Sequence, residues 1–433
     1  MPTGLRFLSH SCLLLEDGDG DLLMDPWFFG GVFNDSSSLL APPDLDTLDL
    51  SRLRHVWISH THPDHFHVPT LRWIRNRVTG PLTAFVRRSP NPTLRKTMSN
   101  LGFDVVELRA NREHRVTKDL SLTLFTGGHD SSLVVCHRDR VILNQNDCVL
   151  DDRTIRRLKR RFPSLDAWFY QFSIGGFFAN ADDPEKIRAM RSGFLDQIAH
   201  FHALLQPTTF VPIASFVRYV KRENAFLNDY AVTPAELMSV HPNIPLQIPW
   251  PGDEILWEGW EEASRINENR WSGLFAEDFE IKRPELVNEA QILAAGKRLV
   301  RDAPAKVAKV APPETHIAIA ETGRSAVFDF RRRHFSIIES PDPTRLACRM
   351  PSEELLYFCS SRYGADVYYG GCFHVVAADL WESLVYFRSS LEPGERWGPW
   401  RRMRARVARV DRELTGGRIR AAHHRLLAKL RRR

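Results

Sequence analysis

Residues 59–67, SHTHPDHFH, set four histidines and an aspartate directly behind the apolar run RHVWI of residues 54–58. A turn that only reverses the chain is made from Gly, Asn or Ser. Imidazoles crowded together repel when protonated and are costly to hold close. A bound cation removes that cost. In the pattern His60-x-His62-x-Asp64-His65, alternation puts His60 and His62 on one side of an extended segment. Asp64 and His65 fall on the following turn, where they can face a second ion. Imidazole and carboxylate donors suit zinc, iron or manganese, and a motif without thiolate is not a structural zinc knot.

The rest of the chain supplies the material for such a site. Its 433 residues, 43% of them hydrophobic, suffice for two or three cores. LRFLSHSCLLLEDGDGDLLMDPW reads as two strands around the Asp-Gly-Asp-Gly turn. Further strands are expected at 54–58, 83–87, 104–108, 120–125, 132–136 and 140–143. Helical periodicity marks PTLRWIRNRV, PNPTLRKTMSNLG, DRTIRRLKRRF and PEKIRAMRSGFLDQIAHFHALL. Strands with interspersed helices predict an α/β protein. The composition shifts near residue 260, which divides the chain into a catalytic domain (1–260), a helical linker (261–300), a smaller α+β domain (301–400) and a basic helix (401–433). In the third segment THIAIAE, SAVFDFR and HFSIIES read as strands, PSEELLYFCSS as a helix and DVYYGGCFHV as a Gly-rich strand start.

The formal charge of +6 is a property of the tail. Residues 401–433 hold thirteen Lys and Arg against Asp411 and Glu413, leaving −5 for the other 400 residues. The expectation is a solvated amphipathic helix able to touch an acidic surface, with no nucleic-acid partner. Six scattered cysteines, an amino terminus without a cleavage signal and no run of roughly 20 apolar residues predict a reduced, cytoplasmic protein without a transmembrane segment.

The histidine motif resembles that of the metallo-β-lactamase superfamily, which implies an αββα sandwich followed here by the smaller α+β domain. The resemblance implies two metal ions held in series. His60, His62 and His129 of FTGGHDSS would serve the first, and Asp64 and His65 the second. Asp147 of LNQNDCVL would bridge them. Asp64, His65 and Asp147 are therefore the expected catalytic residues. Similar proteins place a last histidine after a late strand, but TTFVPIASF offers Ala214 and Ser215 there. Glu223, Asn224 and His241 are the candidate replacements, with the Glu223 region favoured over His67 and His200. His10 is read as a pocket or packing residue, and Asp25 as an orienter of a metal-bound histidine.

SHSCLLLEDGDGDLLMDPWF resembles the branch containing the L-ascorbate-6-phosphate lactonases, the N-acylphosphatidylethanolamine phospholipases D and the CMP-N-acetylneuraminate hydroxylase catalytic body. YQFSIGGFF and NQND lean toward the hydroxylase. The segment from about residue 300 is weakly similar to sterol-carrier proteins. The resemblance implies a metal-dependent hydrolase that turns water on an ester, amide or phosphodiester of a small molecule. The alternative is a non-haem di-iron oxygenase. Without the spaced Cys and His pairs of a Rieske cluster, it would need an external electron donor. The cofactor is expected to be one or two ions of zinc or iron, with manganese as a third choice. Trp27, Phe28, Phe29, Trp168, Phe177 and Phe178 are candidates for the pocket mouth, and Arg218 and Lys221 for pairing with an anionic substrate group.

Overall fold

A computed structural model describes residues 4–128, 130–309 and 311–392. His129 and the basic segment 401–433 lie outside the described residues.

The amino-terminal body is built on two six-stranded sheets. In the first, Leu5–Ser9, Cys12–Leu15 and Asp21–Met24 form an antiparallel meander, continued in parallel by Leu53–Ile58, Thr83–Arg87 and Asp104–Leu108. The second runs in the order Thr209–Ile213, Ala167–Gln171, Arg140–Asn146, Asp130–His137, Leu120–Gly127 and Glu113–Arg115. Because side chains alternate across a strand, each strand feeds two cores. Leu13, Leu15, Leu22 and Met24 join Leu122, Leu124 and Leu133 in one cluster between the sheets, whereas Leu14 and Leu23 join Val56 and Ile58 in another. Helices Val68–Arg77 and Thr93–Asn100 cover that outer face through Leu71, Ile74, Leu94 and Met98. Asp152–Arg161 and Pro184–Leu205 bring Ile155, Leu158, Ile198 and Phe201 to the second sheet. The order helix, sheet, sheet, helix is the αββα sandwich.

The first segment departs from the expectation. LRFLSHSCLLL is two strands with a reversal at His10-Ser11, where His10 takes φ 39°. Histidine is an unusual turn residue, so the sequence carried no local signal for it.

Beyond residue 285, a second body holds a five-stranded sheet of His334–Ile338, Ser325–Asp329, Thr315–Ile319, Leu346–Met350 and His374–Val375. Glu289–Asp302, Ser352–Ser360 and Ala378–Ser389 pack on it around Phe328, Phe335, Phe358 and Trp381. Here a second expectation is corrected. DVYYGGCFHV does not begin as a strand. Val367–Gly370 is a short helix closed by Gly371 at φ 69°, and only His374–Val375 is extended. No described helix is long and apolar enough to cross a membrane.

Candidate metal centre

The motif sits where the two sheets end on the same side. Leu53–Ile58 delivers Ser59 and His60 to the sheet edge, and across the gap Ser131 Oγ donates to the Ser59 carbonyl. Residues around this edge share an uncommon backbone state. His10, Asp25, Asn146 and Ala214 have φ of 39°, 44°, 46° and 55°; Asn146 ends a strand and the other three each follow one. Non-glycine residues in that region store strain and cluster at functional sites. The Ala214 N–H donates to the His10 carbonyl at 2.8 Å, so two of these turns brace each other.

Two triads of donors result. His60, His62 and Asp147 offer ligand atoms within 4.8 Å of one another, and so do His10, Asp64 and His65. Asp147 Oδ2 lies 3.5 Å from His60 Nε2 and 3.6 Å from His65 Nε2, so one carboxylate touches both groups. Asp64 Oδ2 is 3.3 Å from His10 Nε2 and 3.5 Å from His65 Nε2. His60 Nε2 and His62 Nδ1 are 2.7 Å apart, a separation that needs a shared proton or a cation.

Supporting residues fix the rings. Asp25, fully buried, accepts from the Ser59 N–H at 2.8 Å and lies 3.0 Å from His65 Nδ1. It thereby directs His65 Nε2 at Asp64 and Asp147. Ser59 Oγ is 2.9 Å from His60 Nδ1. Asn146 accepts from the Asp147 N–H at 2.7 Å and donates to the Ser131 carbonyl. Gly127 is required on this side, because a Cβ there would meet the Val149 carbonyl oxygen at 2.2 Å.

The donor set fits a cation. His10 Nδ1 and Nε2, His65 Nε2, Asp64 Oδ1 and Asp147 Oδ1 are buried without a hydrogen-bond partner among the described residues. Orphaned polar atoms are rare in protein interiors and costly. Ions at this edge would satisfy one nitrogen of each ring and the free carboxylate oxygens.

The electrostatics agree. Burial alone would raise Asp64, yet His65, His10 and His62 hold its carboxyl far below the usual range. Burial would likewise raise Asp147, and His60 and His65 reverse it. Burial lowers His10 and His62. His65 goes the other way: burial is outweighed by Asp147, Asp64 and Asp25, which push it up to about 10. A cation on His65 Nε2 must displace that proton, so uptake should strengthen about tenfold per pH unit below that value. Calorimetry in buffers of different ionisation enthalpy should record release of about one proton. Uptake independent of pH would contradict this ring as a ligand.

The other candidates lie outside the two triads. Glu223 pairs with Arg222 at 3.6 Å. Asn224 Nδ2 donates to the Ser36 and Gly370 carbonyls, and its Oδ1 accepts from the Lys221 N–H. His241 ends the helix Pro234–Val240, where its backbone N–H donates to the Leu237 carbonyl. His67 caps Val68–Arg77, and His200 pairs with Asp152. The structure brings none of these to the triads and instead puts His10 beside Ala214, where the last histidine was missing. Arg218 donates to the Leu274 carbonyl and lies over Phe279, while Lys221 binds Glu353 and Glu354. Trp27, Phe28 and Trp168 are core residues.

Residues 4–131 match the family model described as a beta-lactamase superfamily domain. Over these residues the chain is similar to the metallo-β-lactamase superfamily. Members of this superfamily are generally metalloenzymes that bind one or two ions. Among curated relatives, the cytidine monophosphate-N-acetylneuraminic acid hydroxylase of Mus musculus is 26% identical over 239 residues, 51% of this chain and 41% of the relative. The protein of that name from Pan troglodytes is 25% identical over 51% of this chain and 40% of its own length. The chain thus spans about two fifths of the length of these relatives. Among solved structures, a possible metal-dependent hydrolase from Veillonella parvula aligns with a TM-score of 0.43 at 15% identity, over 59% of this chain and 99% of that one. CmlA, a diiron β-hydroxylase from Streptomyces venezuelae, aligns with 0.41 at 18%, over 57% and 52%.

Proposed function

We propose that this protein is a metal-dependent hydrolase acting on an ester, amide or phosphodiester of a small molecule. His60, His62 and Asp147, with His129, would hold one ion. His10, Asp64 and His65 would hold the other, with Asp147 shared. Bound there, the ions would supply Lewis acidity toward water and the scissile centre. Asp25 and Ser59 keep the His65 and His60 rings turned so that their Nε2 atoms face the Asp147 carboxylate, where they would serve as ligands. Asp64 and Asp147 remain ionised and offer acceptors for a proton released beside them.

The observation that supports hydrolysis over oxygen chemistry is the identity of the replacement donor. A carboxylate from the Glu223 region in place of the missing histidine would have suited an iron pair. His10 lies beside Ala214 instead, so no extra carboxylate is supplied for an iron pair. The second reading, a di-iron oxygenase fed by external electrons, is favoured by one fact: the curated relatives are named as hydroxylases. Elemental analysis and an optical spectrum of protein purified in air separate the two. Hydrolysis predicts a colourless zinc or manganese protein that turns over without reductant. Two irons with ferric absorption would overturn it in favour of oxygenation.

A further inference from the structure

Above the triads lies a pocket open to solvent, and both halves of the protein wall it. His10 and Asp64 form its floor; Phe33 and Val217 line it from the amino-terminal body, and Tyr369 from the short helix of the carboxy-terminal body. The Tyr369 ring lies against His62 with centroids 4.5 Å apart and faces Phe33 at 5.8 Å. It is nevertheless 37% exposed, open on the pocket side.

The two rings are held there at a cost. Phe33, Asn34 and Asp35 have φ of 52°, 59° and 54°, three successive left-handed residues of which none is glycine. Such a run persists only where its surroundings over-determine it. The Asn224 amide does so by donating to the Ser36 carbonyl at 2.9 Å and to the Gly370 carbonyl at 2.7 Å, stapling the strained turn to the Tyr369 segment. The two backbones also pack without room for a side chain, since a Cβ on Gly370 would stand 2.8 Å from Ser36 Oγ and 3.2 Å from the Phe33 carbonyl. Nearby cations are turned away: Arg218 toward Leu274 and Phe279, Lys221 toward Glu353 and Glu354.

We propose that Phe33 and Tyr369 form the slot for the apolar or ring portion of a small substrate that carries no charge on that portion, with its reactive polar group over His10 and Asp64. The carboxy-terminal body is then a specificity element of the active site. An anionic group buried against these two rings would lose hydration without a partner. The proposal rests on the metal-centre reading above and narrows its substrate class.

Cobalt-loaded full-length protein, titrated with hydroxamates and followed in the visible cobalt bands, tests it without a known substrate. Benzohydroxamate should bind about tenfold tighter than acetohydroxamate. Tyr369→Ala and Phe33→Leu should each erode that preference to less than about threefold. Tyr369→Phe, which keeps the ring, should retain it. A carboxylate added para on benzohydroxamate should weaken binding about tenfold. Absence of an aryl preference, its survival in both Tyr369→Ala and Phe33→Leu, or equal or tighter binding of the charged analogue would overturn the proposal. Failure to take up cobalt would instead overturn the metal-centre reading itself, and the slot with it.

Discussion

Asp147→Ala protein should lose both ions, whereas His10→Ala should lose one and keep the other. The difference follows from position. Asp147 Oδ2 lies within 3.6 Å of both His60 and His65, one from each triad. Its removal takes a donor from both groups and leaves the two sets of imidazoles without the negative charge between them. Loss of an outer-shell partner typically weakens metal binding by about 10–100-fold. Loss of a shared ligand should exceed about a hundredfold for each ion. His10 touches only the Asp64 group, so His60 and His62 should retain their ion in its absence. Elemental analysis after dialysis reads the outcome. Equal metal loss in the two variants would remove Asp147 from the shared position.

Lys221→Ala should loosen the carboxy-terminal body by about 3–5 kcal/mol, the range for removing one partner of a buried ion pair. Lys221 is 3% exposed, and its Nζ lies 2.6 Å from both Glu353 and Glu354 across the two halves of the chain. Burial would lower the Lys221 ammonium, but Glu354 and Glu353 raise it, so it stays charged. Glu354 is pushed up to about 7 by burial, even with Lys221 beside it. Without the ammonium it would rise further. The sign of the pH effect follows from that rise. A carboxyl whose folded pKa exceeds its unfolded value, about 4.5, adds no penalty below that pH and an increasing one as pH climbs through the folded value. The deficit of Lys221→Ala should therefore be larger at about pH 8 than at about pH 5. Urea unfolding at the two values measures it. A deficit of the same size at both would mean that Glu354 finds another partner when the lysine is gone.

Much of the site is legible in the chain because its donors are local or follow strong strand signals. His60, His62, Asp64 and His65 lie within six residues behind a buried strand. Asp147 follows the strand Arg140–Asn146, whose apolar run is plain. Asp25 could be suspected because a metal-bound imidazole needs a partner for its second nitrogen. His10 was visible as a residue but not in its place. The reversal at His10-Ser11 has no glycine or asparagine to announce it, and the run LRFLSHSCLLL reads as one strand. Its geometry is set from a distance, by the Ala214 N–H some two hundred residues away. Tyr369 was hidden for a related reason. DVYYGG has the aromatic content of a strand, and only packing against Ser36, Asn224 and Phe33 turns it into a short helix. The pocket aromatics expected from sequence, such as Trp168, belong to the core, where Trp168 stacks on Phe210 and Tyr170. Composition marks an aromatic residue as large and apolar, but topology decides whether it faces a core or a cleft.

The central claim is that two triads of histidine and aspartate, joined by Asp147, hold a pair of ions. Titration of metal-stripped protein with zinc or cobalt in a calorimeter tests it most directly. Saturation is expected at two equivalents per chain, with proton release that grows as His65 is more fully protonated. Well-folded protein that takes up neither metal would contradict it.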